Sequence, residues 1–379
     1  MTVYKNSYSK LSDGARGRGT ALRPDGRYLL HQRSPCAGED FAPDAAADHG
    51  VETRLFVDQA RSVITRNQSP DIPFDRSINP YRGCEHGCAY CFARPSHARL
   101  DLSPGIDFET QLFWKPEAAA LLRRELAAPG YRCAPIALGV NTDAWQPVER
   151  RTQLSRQLLE VLLETRHPVS IITKSALIER DLDLLAALAE HRLVNVMMSI
   201  TTLDDELARR LEPRAPRPAR RLQTMQRLHA AGVPVGVLFA PLIPALNDHE
   251  LEAVVEAAHA AGARSAGYVL LRLPHELKEL FTDWLNRHAP GRQRHVLSLL
   301  ADLRGGRSND PRFGHRVRGN GVLAELYHQR MRLLQSRLGL QPRLAALDCS
   351  QFRPPARAAR RSARTPVQPG GVDAQLKLF

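Results

Sequence analysis

Cysteine is scarce in this chain, with six in 379 residues. Cys84, Cys88 and Cys91 stand together, while Cys36, Cys133 and Cys349 are scattered. That is too few and too uneven for a disulfide framework. Long apolar runs are also missing, and none approaches the ~18–20 residues that span a bilayer. The longest, Val233 to Leu246, is broken by Pro234, Gly236, Pro241 and Pro244 and reads as a buried strand and loop. The opening stretch MTVYKNSYSKLSDGARGRG has no apolar h-region and no cleavage-site pattern. These absences predict a reducing, cytoplasmic compartment and no membrane partner. Acidic residues run short in one region only. Residues 301–379 hold 15 Arg and Lys against 5 Asp and Glu, a balance of +10; residues 1–300 hold 38 against 35, a balance of +3. The basic character belongs to the last fifth of the chain and points to a polyanion there.

What is present is globular chemistry: 43% of residues are hydrophobic and 25% charged. That excludes collagen-like and wholly disordered classes. Residues 1–50 show no sustained period, and most of them read as flexible. From about Val57 strands and helices alternate. Short apolar strands are predicted over 77–82, 136–140, 169–172, 194–200, 233–239 and 266–271. Helical spacing covers 152–166, 181–191, 220–231, 249–261 and 275–286. Such alternation means βα units and a parallel sheet. Asn141, Thr142, Asp143, Lys174, Ser199 and Thr201 gather where strands end. Parallel α/β barrels carry their chemistry at those C-terminal strand ends. Each polar group alone is equally a cap for the next helix; several together favour a site.

The sharpest signal is Cys84-Glu-His-Gly-Cys88-Ala-Tyr-Cys91, a C-x3-C-x2-C loop directly after the first of these strands. Three thiolates on one short loop can hold three irons of a [4Fe–4S] cluster. The fourth iron is then open to bind and activate a small molecule. Gly83 and Gly87 suit a loop that wraps tightly. The alternative is zinc, with His86 or His97 completing the ligand set.

CEHGCAYC followed by βα units resembles the radical SAM superfamily. NPYRGCEHGCAYCFARPSH and GVNTDAWQPVER resemble its spore-photolyase-like branch, and within it a largely uncharacterised bacterial family. The resemblance covers roughly residues 57–335. It implies an α/β fold, a partial (β/α)6 TIM-like barrel. It also implies a [4Fe–4S] cluster on Cys84, Cys88 and Cys91, S-adenosylmethionine on the open iron, and an unidentified electron donor. One electron would cleave S-adenosylmethionine to methionine and a 5′-deoxyadenosyl radical that abstracts hydrogen from substrate. By the same resemblance Tyr90 lies near the adenine. Asp143, with Thr142 beside it, meets the methionine ammonium. Lys174, one of six lysines against 47 arginines, and Arg214 in LEPRAP meet its carboxylate, with surface ion pairs as the plain alternative. Ser199 and Thr201 meet ribose hydroxyls or the carboxylate. There is one departure. Spore photolyases carry a cysteine near the end of the second strand that returns hydrogen to the product radical. Here Gly139–Asp143 holds none. Cys133, ten residues before Asp143, falls toward the opposite barrel end and reads as a packed thiol. Spore photoproduct repair is therefore not carried over.

The C-terminal region combines Arg304, Arg307, Arg312, Arg316, Arg318, Arg330, Arg332 and Arg337 with Phe313 and His315. Guanidinium forks suit phosphates and an aromatic suits a base face; an arginine-biased surface is the alternative. Gln351 to Gly371 turns to Pro, Arg, Ala and Gly and reads as a disordered linker. Gln375, Leu376, Leu378 and Phe379 then match the anchors of the bacterial sliding-clamp-binding pentapeptide, of QLxLF form. Such a peptide buries its apolar anchors in a preformed pocket and tethers the rest of the chain near DNA. Four parts follow: a flexible or irregular segment 1–56, a radical SAM partial barrel 57–290, a basic helical extension 291–349, and a disordered tail 350–379. The leading reading is a radical SAM enzyme acting on nucleic acid, DNA before RNA, for repair or modification. A duplex base would have to leave its stack to reach the radical. The rivals are a radical SAM enzyme acting on a protein or small molecule, and a non-enzymatic zinc- or cluster-bearing nucleic-acid-binding module.

Overall fold

The computed structural model describes residues 8–10, 17–28, 52–307 and 309–356. In chain order its strands are β1 (Tyr8–Lys10), β2 (Leu22–Pro24), β3 (Arg54–Val57), β4 (Ile64–Arg66), β5 (Arg76–Ile78) and β6 (Tyr81–Arg82). They continue with β7 (Gln111–Trp114), β8 (Ile136–Leu138), β9 (Val169–Thr173), β10 (Val194–Ile200), β11 (Val235–Leu242) and β12 (Ser265–Leu270). The main sheet has the order β12-β11-β10-β9-β8-β5-β4. Its six parallel strands lie side by side in chain order, and β4 adds antiparallel to β5. This is the α/β architecture that the alternating pattern predicts. β4 and β12 are its edges.

Register explains why the strands read as continuous apolar runs. Leu138, Ile171, Val196 and Val235 align across four neighbouring strands, and all are fully buried. A strand covered on both faces keeps no polar alternation. The helix Leu154–Glu164 buries Leu154, Leu158, Leu159, Val161 and Leu162 on one face, as its 3.6-residue period predicts. Among the described residues no helix is long and apolar enough to cross a membrane.

Four expectations change. Residues 17–28 were expected to be flexible; instead Thr20 and Leu22 are buried, and Gly19 N donates to Glu109 Oε2 at 2.9 Å. Arg27 reaches Glu276 at 2.9 Å. These anchors are backbone and charge contacts, which leave no hydrophobic period to read. The small sheet in which β7 lies between β3 and β6 was not predicted, because four-residue strands are too short to show alternation. The linker reading fails at its start. The Phe352 ring lies 5.5 Å from Tyr131 and 5.3 Å from His167, and Arg353 N donates to Thr165 O at 2.8 Å. The rest of the linker and the peptide Gln375, Leu376, Leu378 and Phe379 lie outside the described residues.

The fourth change concerns the basic extension. The helix Val322–Leu338 buries Tyr327, Met331 and Leu334 in the main core. After it, Gln341 bridges to Ser265 and so covers part of the exposed β12 edge. Its arginines are largely committed. Arg312 pairs with Asp310 at 2.7 Å and Arg330 with Glu252 at 2.5 Å; Arg316 pairs with Asp71 and Arg337 with Glu256. Arg304 is buried and donates to the carbonyls of Leu271 and Arg316 at 2.8 and 2.7 Å. Arg316, Arg330 and Arg337 thus meet acids from outside residues 301–379, so part of the basic excess is matched within the fold rather than displayed as a uniform basic face. Cys133 precedes β8, away from the cysteine loop, and its thiol meets that of Cys349; burial and that neighbour push it up to about 12.

Candidate functional site

The cysteine loop begins just past β6 and has to turn sharply. Gly83 and Gly87 adopt φ of +81° and +66°, the left-handed region that glycine enters without strain. A Cβ on Gly83 would stand 2.6 Å from Leu112 Cδ2. Cys84 N donates to Phe108 O at 2.9 Å and Cys91 N to Cys88 O at 3.3 Å, so the loop has its own backbone frame.

Two buried side chains brace that frame from outside the motif. Arg94 is fully buried and donates to Cys88 O (2.9 Å), Gly105 O (2.8 Å) and Gly87 O (3.2 Å), and pairs with the equally buried Glu109 at 2.5 Å. Gln146 accepts from Glu85 N at 2.8 Å and donates to Gly83 O at 3.2 Å. Glu149 accepts from Tyr81 Oη, Ser155 N and Arg180 Nη2. The run Gln146-Pro147-Val148-Glu149 is thus a clamp on the cysteine loop and the β6 strand that leads into it.

Cys84 and Cys88 are buried and Cys91 is half-buried. Burial pushes the Cys84 thiol well up, and the neighbouring thiols add to this. Burial also lifts Cys88 to about 11, against the pull of Lys174. Two buried thiols that resist ionisation, with Cys91 beside them on the loop, suit a cationic iron centre, which compensates their charge. A compact zinc site fits less well. Among the described residues no three His, Cys, Asp or Glu side chains converge tightly enough for a single metal ion. His97 turns Nε2 to Gln111 O at 2.9 Å, and His86 faces Asp143 at 3.5 Å.

Lys174 ends the third parallel strand, β9, and bends over the loop. Its Nζ lies 3.2 Å from Cys88 Sγ, 2.8 Å from Tyr90 Oη and 2.8 Å from Glu212 Oε1. Glu212 also binds Arg221, and both are almost fully buried. Burial would raise the Glu212 carboxyl, but Arg221 and Lys174 hold it far below the usual carboxylate range. Burial would lower Lys174, but Cys88, Glu212 and Tyr90 hold it well above an ordinary lysine. The surface-pair reading of Lys174 is thus excluded: its side chain is 14% exposed and its partner 1%.

The remaining candidates divide. Thr201 Oγ1 reaches Glu212 at 2.9 Å and Tyr90 Oη at 3.1 Å, so it belongs to this cluster. Ser199 stands beside it, donating to Ala240 O at 3.2 Å. Arg214 pairs with Glu85 at 3.4 Å, one residue from Cys84, and its side chain is one-third exposed. Asp143 accepts from Trp145 N, Thr173 Oγ1 and Lys174 N at 2.7–2.9 Å. It joins the ends of β8 and β9. Thr142 donates to Tyr81 O at 2.9 Å and is buried, a tie between strands. Sequence reasoning missed Glu212, Arg221 and Arg94, and it marked Gln146 as part of the GVNTDAWQPVER motif without giving it a role. Glu212 lies two residues before Arg214 in LEPRAP, so the motif was visible but not which residue turns inward.

With this geometry in place, comparison with known proteins is informative. Residues 78–258 match the family model of the radical SAM superfamily. An uncharacterized protein of Mycobacterium tuberculosis is 40% identical over 221 residues, covering 58% of this chain and 65% of the relative. The alignment therefore spans less than two thirds of that relative's length. An uncharacterized protein of Methanocaldococcus jannaschii is 27% identical over 176 residues, covering 46% of this chain and 62% of that one. Among solved structures, a spore photoproduct lyase variant with bound AdoMet and dinucleoside spore photoproduct aligns with a TM-score of 0.55. It is 14% identical, with 75% of this chain and 78% of that chain covered. At that identity the likeness shows the fold alone.

Proposed function

Because the core of this chain is a radical SAM domain, a class that works with a [4Fe–4S] cluster and S-adenosylmethionine, we propose that it is a radical SAM enzyme acting on nucleic acid. Cys84, Cys88 and Cys91 would hold the cluster. When bound, the cluster would supply the electron for reductive cleavage of S-adenosylmethionine and so the means of abstracting hydrogen from substrate.

The chain's own residues bind and orient. Lys174 presents a permanent ammonium beside Cys88, held there by Glu212 and Tyr90. A carboxylate arriving at the open iron is the anion that this cation takes. Arg214, partly exposed at Glu85, is a second cation on the same rim. Asp143, Thr142, Ser199 and Thr201 line the ends of β8 and β10, where an amino group and ribose hydroxyls find acceptors and donors. Asp143 already accepts from three donors, so its first contribution is to fix the Lys174 backbone; its remaining acceptor capacity is what an ammonium would use. Tyr90, whose hydroxyl accepts from Lys174 Nζ at 2.8 Å, would lie near the adenine.

The observation that carries the reading is the Lys174 ammonium 3.2 Å from a cluster-loop thiol in a buried network. Nucleic acid as target draws on the fold shared with a lyase solved with a dinucleoside photoproduct. Recruitment by the bacterial sliding clamp through Gln375, Leu376, Leu378 and Phe379 is part of the same proposal, as is cytoplasmic location. Anaerobic reconstitution with iron and sulfide, then dithionite and S-adenosylmethionine, should yield 5′-deoxyadenosine, and Cys88→Ala should not. Absence of the nucleoside from wild type sinks the enzyme reading. Deuterium passing from labelled DNA into 5′-deoxyadenosine supports the nucleic-acid target. Deleting residues 375–379 should abolish clamp pull-down; unchanged capture rejects that partner.

A further inference from the structure

The two edges of the main sheet meet different parts of one segment. Arg304, near its start, donates to Leu271 O just past β12. Arg316, near its end, pairs with Asp71 in the loop before β5, and Gly314 N donates to the same carboxylate at 2.5 Å. Residues 304–307 and 309–316 therefore lie across the open seam of the sheet.

Two arginine–aromatic pairs line that seam. Phe92 directly follows Cys91, and its ring is 47% exposed. Arg272, two residues past β12, places its guanidinium carbon 5.8 Å from the Phe92 centroid. Phe313 is 55% exposed, and Arg316 lies 4.6 Å above its ring. The pairs adjoin, since the Arg304 guanidinium donates both to Leu271 O and to Arg316 O, at 2.8 and 2.7 Å; burial, with Arg316 nearby, also holds Arg272 below the ordinary arginine range.

Arg272 has no assigned task in the fold. Its Nε is buried without a hydrogen-bond partner. Among the described residues no carboxylate forms an ion pair with it, and Asp71 acts on it only through space. Asp71 and Asp310 are the nearby acids, and they are taken by Arg316 and Arg312. A partly desolvated cation left unpaired is costly, and an arriving anion relieves that cost.

We propose that Arg272 and Phe92, continued by Arg316 and Phe313, form a nucleotide-binding step, in which the guanidiniums take phosphodiesters and the rings stack bases of single-stranded or extruded nucleic acid. This rests on the nucleic-acid reading above and names the residues that would carry it. Alternating charge and ring matches alternating phosphate and base. A peptide carboxylate needs the guanidinium but has no use for two exposed rings. The step begins one residue from a cluster cysteine, so a nucleotide held there stands at the mouth of the reaction site.

The test uses full-length, cluster-loaded protein and anisotropy of a fluorescein-labelled single-stranded oligonucleotide across a salt series. Arg272→Gln should weaken binding about tenfold and flatten the slope of log K against log salt by about 0.7, the loss of one phosphate contact. Arg272→Lys should keep the slope. Phe92→Leu should weaken binding about 5- to 100-fold, one stacked base, without changing the slope. Arg343→Gln, an exposed arginine elsewhere, should leave affinity within about twofold. Visible absorption of the cluster reports that each variant is intact. Wild-type binding with an unaltered Arg272→Gln slope overturns the step alone. Competition by polyglutamate as strong as by the oligonucleotide also overturns it, in favour of an acidic peptide. No oligonucleotide binding by wild type overturns both the step and the nucleic-acid reading.

Discussion

Arg94→Met is the most informative single perturbation of the cysteine loop. The arginine is fully buried, so none of its contacts is shared with water. It joins the carbonyls of Gly87, Cys88 and Gly105 to the carboxylate of Glu109. Methionine has similar reach and no donor. Breaking a buried ion pair by removing one partner costs about 3–5 kcal/mol, because the surviving charge stays buried. Against a typical domain stability of about 5–15 kcal/mol, that is at least about a fifth of the total. Two of the three freed carbonyls, those of Gly87 and Cys88, lie inside the cysteine loop, so loading should fail along with stability. Anaerobic urea unfolding of apo-protein measures the first effect, and iron and sulfide per chain after reconstitution measure the second. The companion variant Arg94→Met with Glu109→Met removes both charges and should recover much of the loss. Arg94→Lys keeps the charge but not the fork, and should fall between. The reasoning is refuted if Arg94→Met stays within about 0.5 kcal/mol of wild type, or if the double variant is as unstable as the sum of the singles.

Three further outcomes follow from other contacts. Gly19→Val should destabilise the protein and impair cluster loading, because a side chain there collides with the Gly87 carbonyl; normal iron content in that variant would show that residues 17–28 do not seal the loop. Glu212→Gln should cost about 3–5 kcal/mol by leaving Lys174 and Arg221 without their shared anion, and equilibrium dialysis should show weaker S-adenosylmethionine retention; unchanged retention counts against Lys174 as a cofactor contact. His167 is held down to about 4 by burial, with Arg76 adding to it. The fold favours the neutral ring, so this contribution is complete above the unfolded value near pH 6.5 and is lost as pH falls toward 4. It amounts to about 2 kcal/mol by pH 5. His167→Phe should therefore lose less stability than wild type between pH 7 and pH 5; equal losses would refute the assignment.

The relation between sequence and structure differs from element to element. The strand Val194–Ile200 was legible to the residue, because a strand inside a parallel sheet is mostly apolar, and Val194, Val196, Met197, Met198 and Ile200 dominate it despite Asn195 and Ser199. Strand β7 was not, because QLFW is too short to show a period. Phe352 was read as the beginning of a disordered linker, since composition averages over a window and cannot see one ring docked between Tyr131 and His167. Within the site, Lys174 was legible as a rare lysine at a strand end. Glu212 was not, because nothing in LEPRAP says which residue turns inward.

The cysteine loop is what the sequence determined by itself. Its three thiols lie within eight residues, so their grouping needs only a tight turn, and Gly83 and Gly87 supply it. The environment of those thiols was decided by tertiary structure. Lys174 meets Cys88 across 86 positions and Glu212 across 38, distances over which no local pattern carries information. The same holds for charge. Composition revealed an excess of +10 in the last fifth of the chain. Only folding decided that Arg304 and Arg316 would be spent closing the sheet's seam while Arg272, from the nearly balanced part of the chain, would stand beside the cysteine loop with no carboxylate paired to it among the described residues. An ion pair forms where two side chains meet in space, and their meeting is a property of the fold.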